Sequence, residues 1–459
     1  MLTPIATSLA SVSSRGKVRT LAFNENEIFR PIHYLGCKLR TLERLVAATK
    51  DLYSRGDLVV DLFSGSTVVS QAYAKTGARV LSVDAQLFCQ HMASALLGIK
   101  RQQGECSADI ARLIAKDFGT SSLPAEIQRL VEEERRLLIS GPSKALVDFY
   151  PRIPQVWRPD GQSSWINSAL SVEPGTEGFG AAPIILSHYA GTYFGVYQSA
   201  FFDYVRNRIE TLHIEMVIGS WTRHALLTSL YSAMSATVCS AGKHFAQPLG
   251  VHRETGNKEF QWVRLHSDRS IDPVTTFLAA SKAVDHAAGS SEEHSAIALP
   301  VAAAYDEIAP RKPTLIYADP PYTAQQYSRF YHVLEVVSSY RMPRLQRMSG
   351  QVTAGLYSED RYKSPFSSKT AAGPAFEALI SQSQACGASL AISYSSSSEK
   401  STGNARMIQL FELEQLCKKY YGSSRVQILA LDHTYRPFNS GHRNNIHRND
   451  NEVLILCEA

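Results

Sequence analysis

The sequence predicts an α/β fold built on a largely parallel sheet. Three observations predict it: short runs that are mostly apolar on both faces, helix-like stretches alternating with them, and one long helical block that interrupts the alternation. The runs are 58–63 (LVVDLF), 79–84 (RVLSVD), 314–319 (TLIYAD), 388–394 (ASLAISY), 425–431 (RVQILAL) and 452–457 (EVLILC). Strands that read as continuous apolar runs belong to sheets covered by helices on both faces. Helix-like stretches at 38–53, 67–75, 86–98, 325–340, 374–385 and 405–421 lie between them. Such alternation is the signature of βα units.

Between about 106 and 295 the alternation stops. Helical patterns occupy 107–118, 125–140, 197–212, 221–240 and 273–287, with a Pro- and Gly-bearing stretch at 150–183 read as irregular. We therefore divide the chain into an N-terminal arm (1–27), a first part of the α/β domain (28–105), a mainly helical insertion (106–295) and a second part (296–459).

Composition narrows the classes. The 459 residues are 44% hydrophobic and 19% charged, which excludes collagen-like and wholly disordered chains. No apolar run is long enough for a transmembrane helix, so no membrane partner is expected. The net charge of +5 tolerates an anionic partner without demonstrating one. Seven widely spaced cysteines without a Cys-x-x-Cys argue against a disulfide framework or a zinc site and suit a reducing cytoplasm. No metal is expected.

The stretch Asp61-Leu62-Phe63-Ser64-Gly65-Ser66-Thr67 follows the first strand and precedes a helix-like run. A glycine at such a turn lets backbone approach a ligand closely, and Ser66 or Thr67 is placed to cap the helix. Asp84 ends the next strand, where an acid can accept hydrogen bonds from ribose hydroxyls. One glycine rather than three suits a nucleoside cofactor better than a pyrophosphate. The loop by itself is equally an ordinary βα turn with a solvating aspartate.

Asp319-Pro320-Pro321-Tyr322 is more specific. Two prolines cannot continue a sheet, so they stiffen a turn at the strand's carboxyl end, where α/β proteins place ligands. Asp319 offers a carboxylate acceptor, the Pro320 carbonyl a second one, and Tyr322 an aromatic face. That set suits a planar heterocycle bearing an exocyclic amine.

On these residues the chain resembles the amino-group DNA methyltransferases, specifically the alpha-type N6-adenine enzymes. The resemblance rests on Asp319-Pro320-Pro321-Tyr322, on the loop Asp61–Ser66 and on Tyr34-Leu35-Gly36-Cys37-Lys38, in that family's order with the insertion between cofactor and catalytic halves. Segments 188–209 and 355–366 are also similar to family members, whereas 99–184 show no likeness. Ser66 stands where the family has a second glycine. No acid is found on the strand expected at 296–301, with Pro300 at the place and Asp268 and Asp306 as weak substitutes.

The resemblance implies a Rossmann-like methyltransferase fold and S-adenosyl-L-methionine as cofactor. It assigns catalysis to Asp319, Pro320, Pro321 and Tyr322. Cofactor binding would fall to Tyr34, Gly36, Lys38, Asp61, Phe63, Ser64, Gly65, Ser66, Asp84 and Asp319. The expected reaction is methyl transfer to the N6 amine of an adenine flipped from duplex DNA, in restriction-modification or phage defence in a prokaryotic cytoplasm. Partners would be double-stranded DNA and a cognate restriction endonuclease or defence-complex subunits. Transfer to cytosine N4 or RNA adenine, and a degenerate DNA-binding subunit, are the alternatives.

Basic residues for phosphate contact cluster in the polar loop before the last strand: Arg436, His442, Arg443 and Arg448. The same loop also reads as a solvated hairpin tip. Arg361 and Lys363 form a weaker group after the tetrapeptide. Tyr327 and Tyr331, at i and i+4 on the following helix, read as packing residues rather than base contacts.

Overall fold

The computed structural model describes residues 28–180, 182–249, 258–289, 293–396, 405–434 and 451–459. The N-terminal arm 1–27 and the basic loop residues Arg436, His442, Arg443 and Arg448 lie outside the described residues.

Among the described residues nine strands form in chain order: β1 (Leu58–Leu62), β2 (Arg79–Asp84), β3 (Ser295–Ala298), β4 (Leu315–Ala318), β5 (Arg347–Met348), β6 (Gln351–Val352), β7 (Ser389–Ser396), β8 (Val426–Thr434) and β9 (Asn451–Cys457). Seven make one sheet in the order β3-β2-β1-β4-β7-β9-β8. Pairing is parallel from β3 through β7, and β9 runs antiparallel to both β7 and β8. Every residue of β1 and β4 is buried, which is why these strands read as unbroken apolar runs.

Alternate side chains serve opposite faces. Val59, Val80, Leu315 and Tyr317 pack with Leu45, Ala72 and Tyr73 of the helices Leu42–Thr49 and Val68–Lys75. Val60, Leu62, Ile316 and Ile392 face the helices Val301–Ile308, Ala372–Ala385 and Leu410–Tyr421. The molecule is thus an α/β fold with helices on both faces of a mostly parallel sheet. No helix among the described residues is long and apolar enough to cross a membrane.

The insertion is helical, as its periodicity predicts, with nine α-helices between Ser107 and Ala287 among the described residues. The stretch read as irregular holds the helix Ser164–Ser171, which buries Trp165, Ile166 and Ala169. Its eight residues are too few for the period to stand out among the flanking Pro and Gly. Some helix ends are written locally. Pro273 opens the helix Pro273–Ala287, and the Asp272 side chain accepts from the amides of Val274 (3.3 Å) and Thr275 (2.9 Å).

The insertion shares a core with the sheet's own helices. Phe201, Leu227, Leu230 and Tyr231 pack in one cluster with Phe88 and Met92 of the helix Leu87–Leu96 and Tyr331, Leu334 and Val337 of the helix Tyr327–Ser339. Asp203 seals the joint: it accepts from the amides of Ile185 (2.9 Å) and Leu186 (2.7 Å) and from the Tyr340 hydroxyl (2.7 Å).

Two expectations are corrected. Thr67 precedes the helix Val68–Lys75, but its side chain does not cap it, because the residue sits at φ +65°. The strand expected at 296–301 ends at Ala298, and Pro300 instead opens the helix Val301–Ile308. Neither substitute acid comes to its end. Asp306 is exposed on that helix, and Asp268 pairs with Lys243 (2.6 Å) inside the insertion.

Candidate active site

The sheet reverses its direction of growth at β1: β2 and β3 extend it one way, β4 and β7 the other. At such a switch the loops leaving adjacent carboxyl ends diverge and open a crevice, where ligands bind in α/β sheets. The loops after β1, β2 and β4 bring Phe63, Asp84 and Asp319 to one crevice there, with Tyr34, Gly36, Lys38, Pro320, Pro321 and Tyr322 also in its wall. The crevice encloses about 750 Å³ when its open mouth is counted.

The loop after β1 is a tight coil, with Phe63 (φ +62°), Gly65 (φ +48°) and Thr67 (φ +65°) all in the left-handed region. Amides hold it in place. Ser64 N donates to Val83 O (3.0 Å), and Gly65 N donates to Asp84 Oδ2 (3.0 Å). Asp84 Oδ1 accepts from Gln86 N (2.9 Å). Burial pushes the Asp84 carboxyl above its usual range, against the pull of these amides.

Tyr34 lies over Gly65: a Cβ built there would come within 2.6 Å of its ring. Behind it Tyr331 stacks at 4.6 Å with the planes 4° apart, and the Tyr331 hydroxyl accepts from Leu35 N (2.7 Å). Tyr331 is therefore a packing residue, as read, whereas Tyr327, read the same way, lines the crevice. Ser64, Gly65 and Ser66 are buried and absent from the crevice wall, Gly65 lying beneath Tyr34. Asp61 is also absent from the wall. Its Oδ2 accepts from Ser70 Oγ (2.5 Å), and burial pushes its carboxyl up to about 7.

At the opposite wall Lys38 is buried, with its ammonium 2.8 Å from both Asp319 Oδ2 and Glu452 Oε1. Burial opposes a charge there, but the two carboxylates prevail and hold Lys38 well above the usual lysine range. Burial pushes Asp319 up to about 6, with Lys38 opposing the rise and Glu452 adding to it. Asp319 Oδ1 bonds nothing among the described residues, and no backbone donor among them reaches the Pro320 carbonyl. The Tyr322 ring meets Tyr394 edge-on at 5.6 Å, and the Arg406 guanidinium lies 4.7 Å from its centroid.

The chemistry of the wall suits a nucleoside carrying positive charge. Among the described residues Lys38 is its one cationic side chain and is already shared between two acids, so none of these residues offers a free cation to phosphate. Asp84 and Asp319 outnumber it. Gln86 Oε1 is buried without a hydrogen-bond partner among the described residues, a ready acceptor for an amine or hydroxyl. Tyr34, Phe63, Tyr322, Tyr327 and Tyr362 supply aromatic surface.

Sequence reasoning missed Gln86, Glu452, Gln326, Tyr362 and Ser364. Tyr362 and Ser364 fall in segment 355–366, noted only as a likeness. Of the described basic residues, Arg361 is half-buried and donates to Gln346 Oε1 (2.9 Å), whereas Lys363 is exposed. Both adjoin Tyr362 in the chain, which lines the crevice, but neither lines it itself. No protein-family model matches the chain, and no curated protein matches it.

Proposed function

We propose that the protein is an S-adenosylmethionine-dependent DNA methyltransferase acting on the N6 amine of an adenine flipped out of the duplex. One observation carries the reading: Asp319-Pro320-Pro321-Tyr322 faces Asp84 and Phe63 across one crevice at the sheet's switch point. The finer assignment of the α/β fold as a Rossmann-like methyltransferase belongs to this proposal.

Asp84, Gln86 and the loop at Phe63 would hold the cofactor's nucleoside. Bound there, it supplies an electrophilic methyl group. The adenine amine is a weak nucleophile because its lone pair is conjugated with the ring. Asp319 Oδ1 and the Pro320 carbonyl would accept the amine's two protons and direct the lone pair out of the ring plane. Positioning of this kind can supply much of the acceleration, and the ionised Asp319 is the nearest base for the proton released. Tyr322 would stack on the base, worth about 1–3 kcal/mol, which offsets part of the cost of flipping. Arg361 and Lys363, with the basic loop of Arg436, His442, Arg443 and Arg448, are the candidates for phosphate contact.

The test is transfer of a tritiated methyl group to duplex DNA of varied sequence, followed by digestion to nucleosides. Label in N6-methyladenine, lost in Asp319→Ala with the melting curve retained, supports the reading. Label in cytosine or only in RNA moves it to another acceptor. No label, together with no calorimetric binding of S-adenosylmethionine, removes it in favour of a non-catalytic DNA-binding subunit.

A further inference from the structure

Glu452 belongs to no motif and comes from the far end of the chain, yet from outside the crevice wall its carboxylate reaches Lys38, which lines it. It is the second residue of β9, in register with Ser395 of β7, and is largely buried. The Lys38 ammonium has three donors and, among the described residues, three acceptors around it: Asp319 Oδ2 and Glu452 Oε1, each at 2.8 Å, and Gly36 O at 3.4 Å. A lysine so enclosed cannot swing to the second oxygen of Asp319 without leaving Glu452, which would strand a buried carboxylate.

Resting on the methyl-transfer reading, we propose that Glu452 is a positioning residue. By anchoring Lys38 it keeps the ammonium on Oδ2 of Asp319 and leaves Oδ1 to the acceptor amine. It also prevents Lys38 from fully neutralising Asp319, since one cation is divided between two anions. Asp319 thereby remains a stronger hydrogen-bond acceptor than a simple ion pair would leave it. The other groups acting on this cluster are Asp61 from β1 and Tyr317 from β4, with Tyr322 from the turn after β4. None of these takes a hydrogen bond from Lys38.

The experiment compares Glu452→Gln with the unaltered protein by two readouts. The first is a ¹³C-carboxyl NMR titration of Asp319 in the ligand-free protein, its signal assigned by its loss in Asp319→Asn. Removing the Glu452 charge gives Lys38 wholly to Asp319, so the midpoint should fall by about one pH unit. The second is single-turnover methyl transfer. At pH 8 kcat should fall about 10- to 100-fold with KM for DNA and cofactor nearly unchanged, and the acid limb of the rate profile should move down with the midpoint.

An unmoved midpoint overturns the role of Glu452 whether or not the protein is an enzyme. So does a variant with unaltered kcat while Asp319→Ala is inactive. A moved midpoint in a protein that transfers no methyl group to any nucleic acid overturns the underlying reading instead. If Glu452→Gln does not fold, Glu452→Asp carries the test. It keeps the charge on a shorter arm and should lower kcat without lowering the Asp319 midpoint, whereas unaltered kcat overturns the proposal.

Discussion

At the residue scale, small displacements decide whether the crevice works. Gly65 is the sharpest case, because its left-handed φ and the Tyr34 ring over it both exclude a side chain. Tyr34 cannot withdraw, since Tyr331 is stacked behind it. Gly65→Ala should therefore push Tyr34 toward the crevice, weaken S-adenosylmethionine binding at least tenfold by calorimetry, and lower stability by about 1–3 kcal/mol in urea melts. Asp319 gives a pH prediction. Its carboxylate must be ionised to take up the proton released by the amine and is the stronger acceptor in that form, and burial raises it to about 6. The single-turnover rate should be level above that pH and fall about tenfold per unit below it. A rate indifferent to pH between 5 and 8 would exclude Asp319 as the acceptor.

At the element scale, two helices flanking the crevice are tied to one another by a half-buried carboxylate that stands in for a local cap. The helix Leu87–Leu96 has no side-chain cap at its start. Glu335, on the helix Tyr327–Ser339, accepts instead from the amides of Leu87 (3.0 Å) and Phe88 (3.3 Å). This couples the carboxyl end of β2 and the loop after it, which hold Asp84 and Gln86, to the helix that follows the Asp-Pro-Pro-Tyr turn. Glu335→Ala should cost about 1–3 kcal/mol, because two part-buried amides lose their acceptor. Cofactor affinity should fall with stability, whereas an equally destabilising change in a helix remote from the crevice should leave it intact. Denaturant melts and calorimetry on the two variants separate these outcomes.

On the scale of the whole molecule, the helical insertion is part of the fold's core rather than a module hung from it. Phe88, Met92, Tyr331, Leu334 and Val337 bury their outer faces against its aromatic helices. Trp221 Nε1 donates to Ala95 O (3.0 Å), and Arg101 covers the same indole at 4.3 Å. A chain lacking 107–287 with its ends rejoined should expose this apolar face and aggregate. Size-exclusion chromatography and circular dichroism would show it, and a soluble, cooperatively melting product would refute the shared core.

How much of this was legible beforehand follows from the range of each interaction. The strands β1, β2 and β4, the helix start at Asp272-Pro273 and the stiff turn at Pro320-Pro321 were readable because periodicity, capping and proline geometry are local. The crevice partners Asp84 and Asp319 were readable because strand ends are local too, and a parallel sheet gathers its carboxyl ends on one side. The sequence by itself thus determined an α/β chain with acceptors and aromatics at strand ends. Only the tertiary structure decided that β9 enters between β7 and β8, that Glu452 reaches Lys38, that Glu335 caps a distant helix, and that Asp61 turns to Ser70 instead of the crevice. Those outcomes depend on which buried charges and amides meet across long stretches of chain, and no spacing in the sequence encodes such meetings.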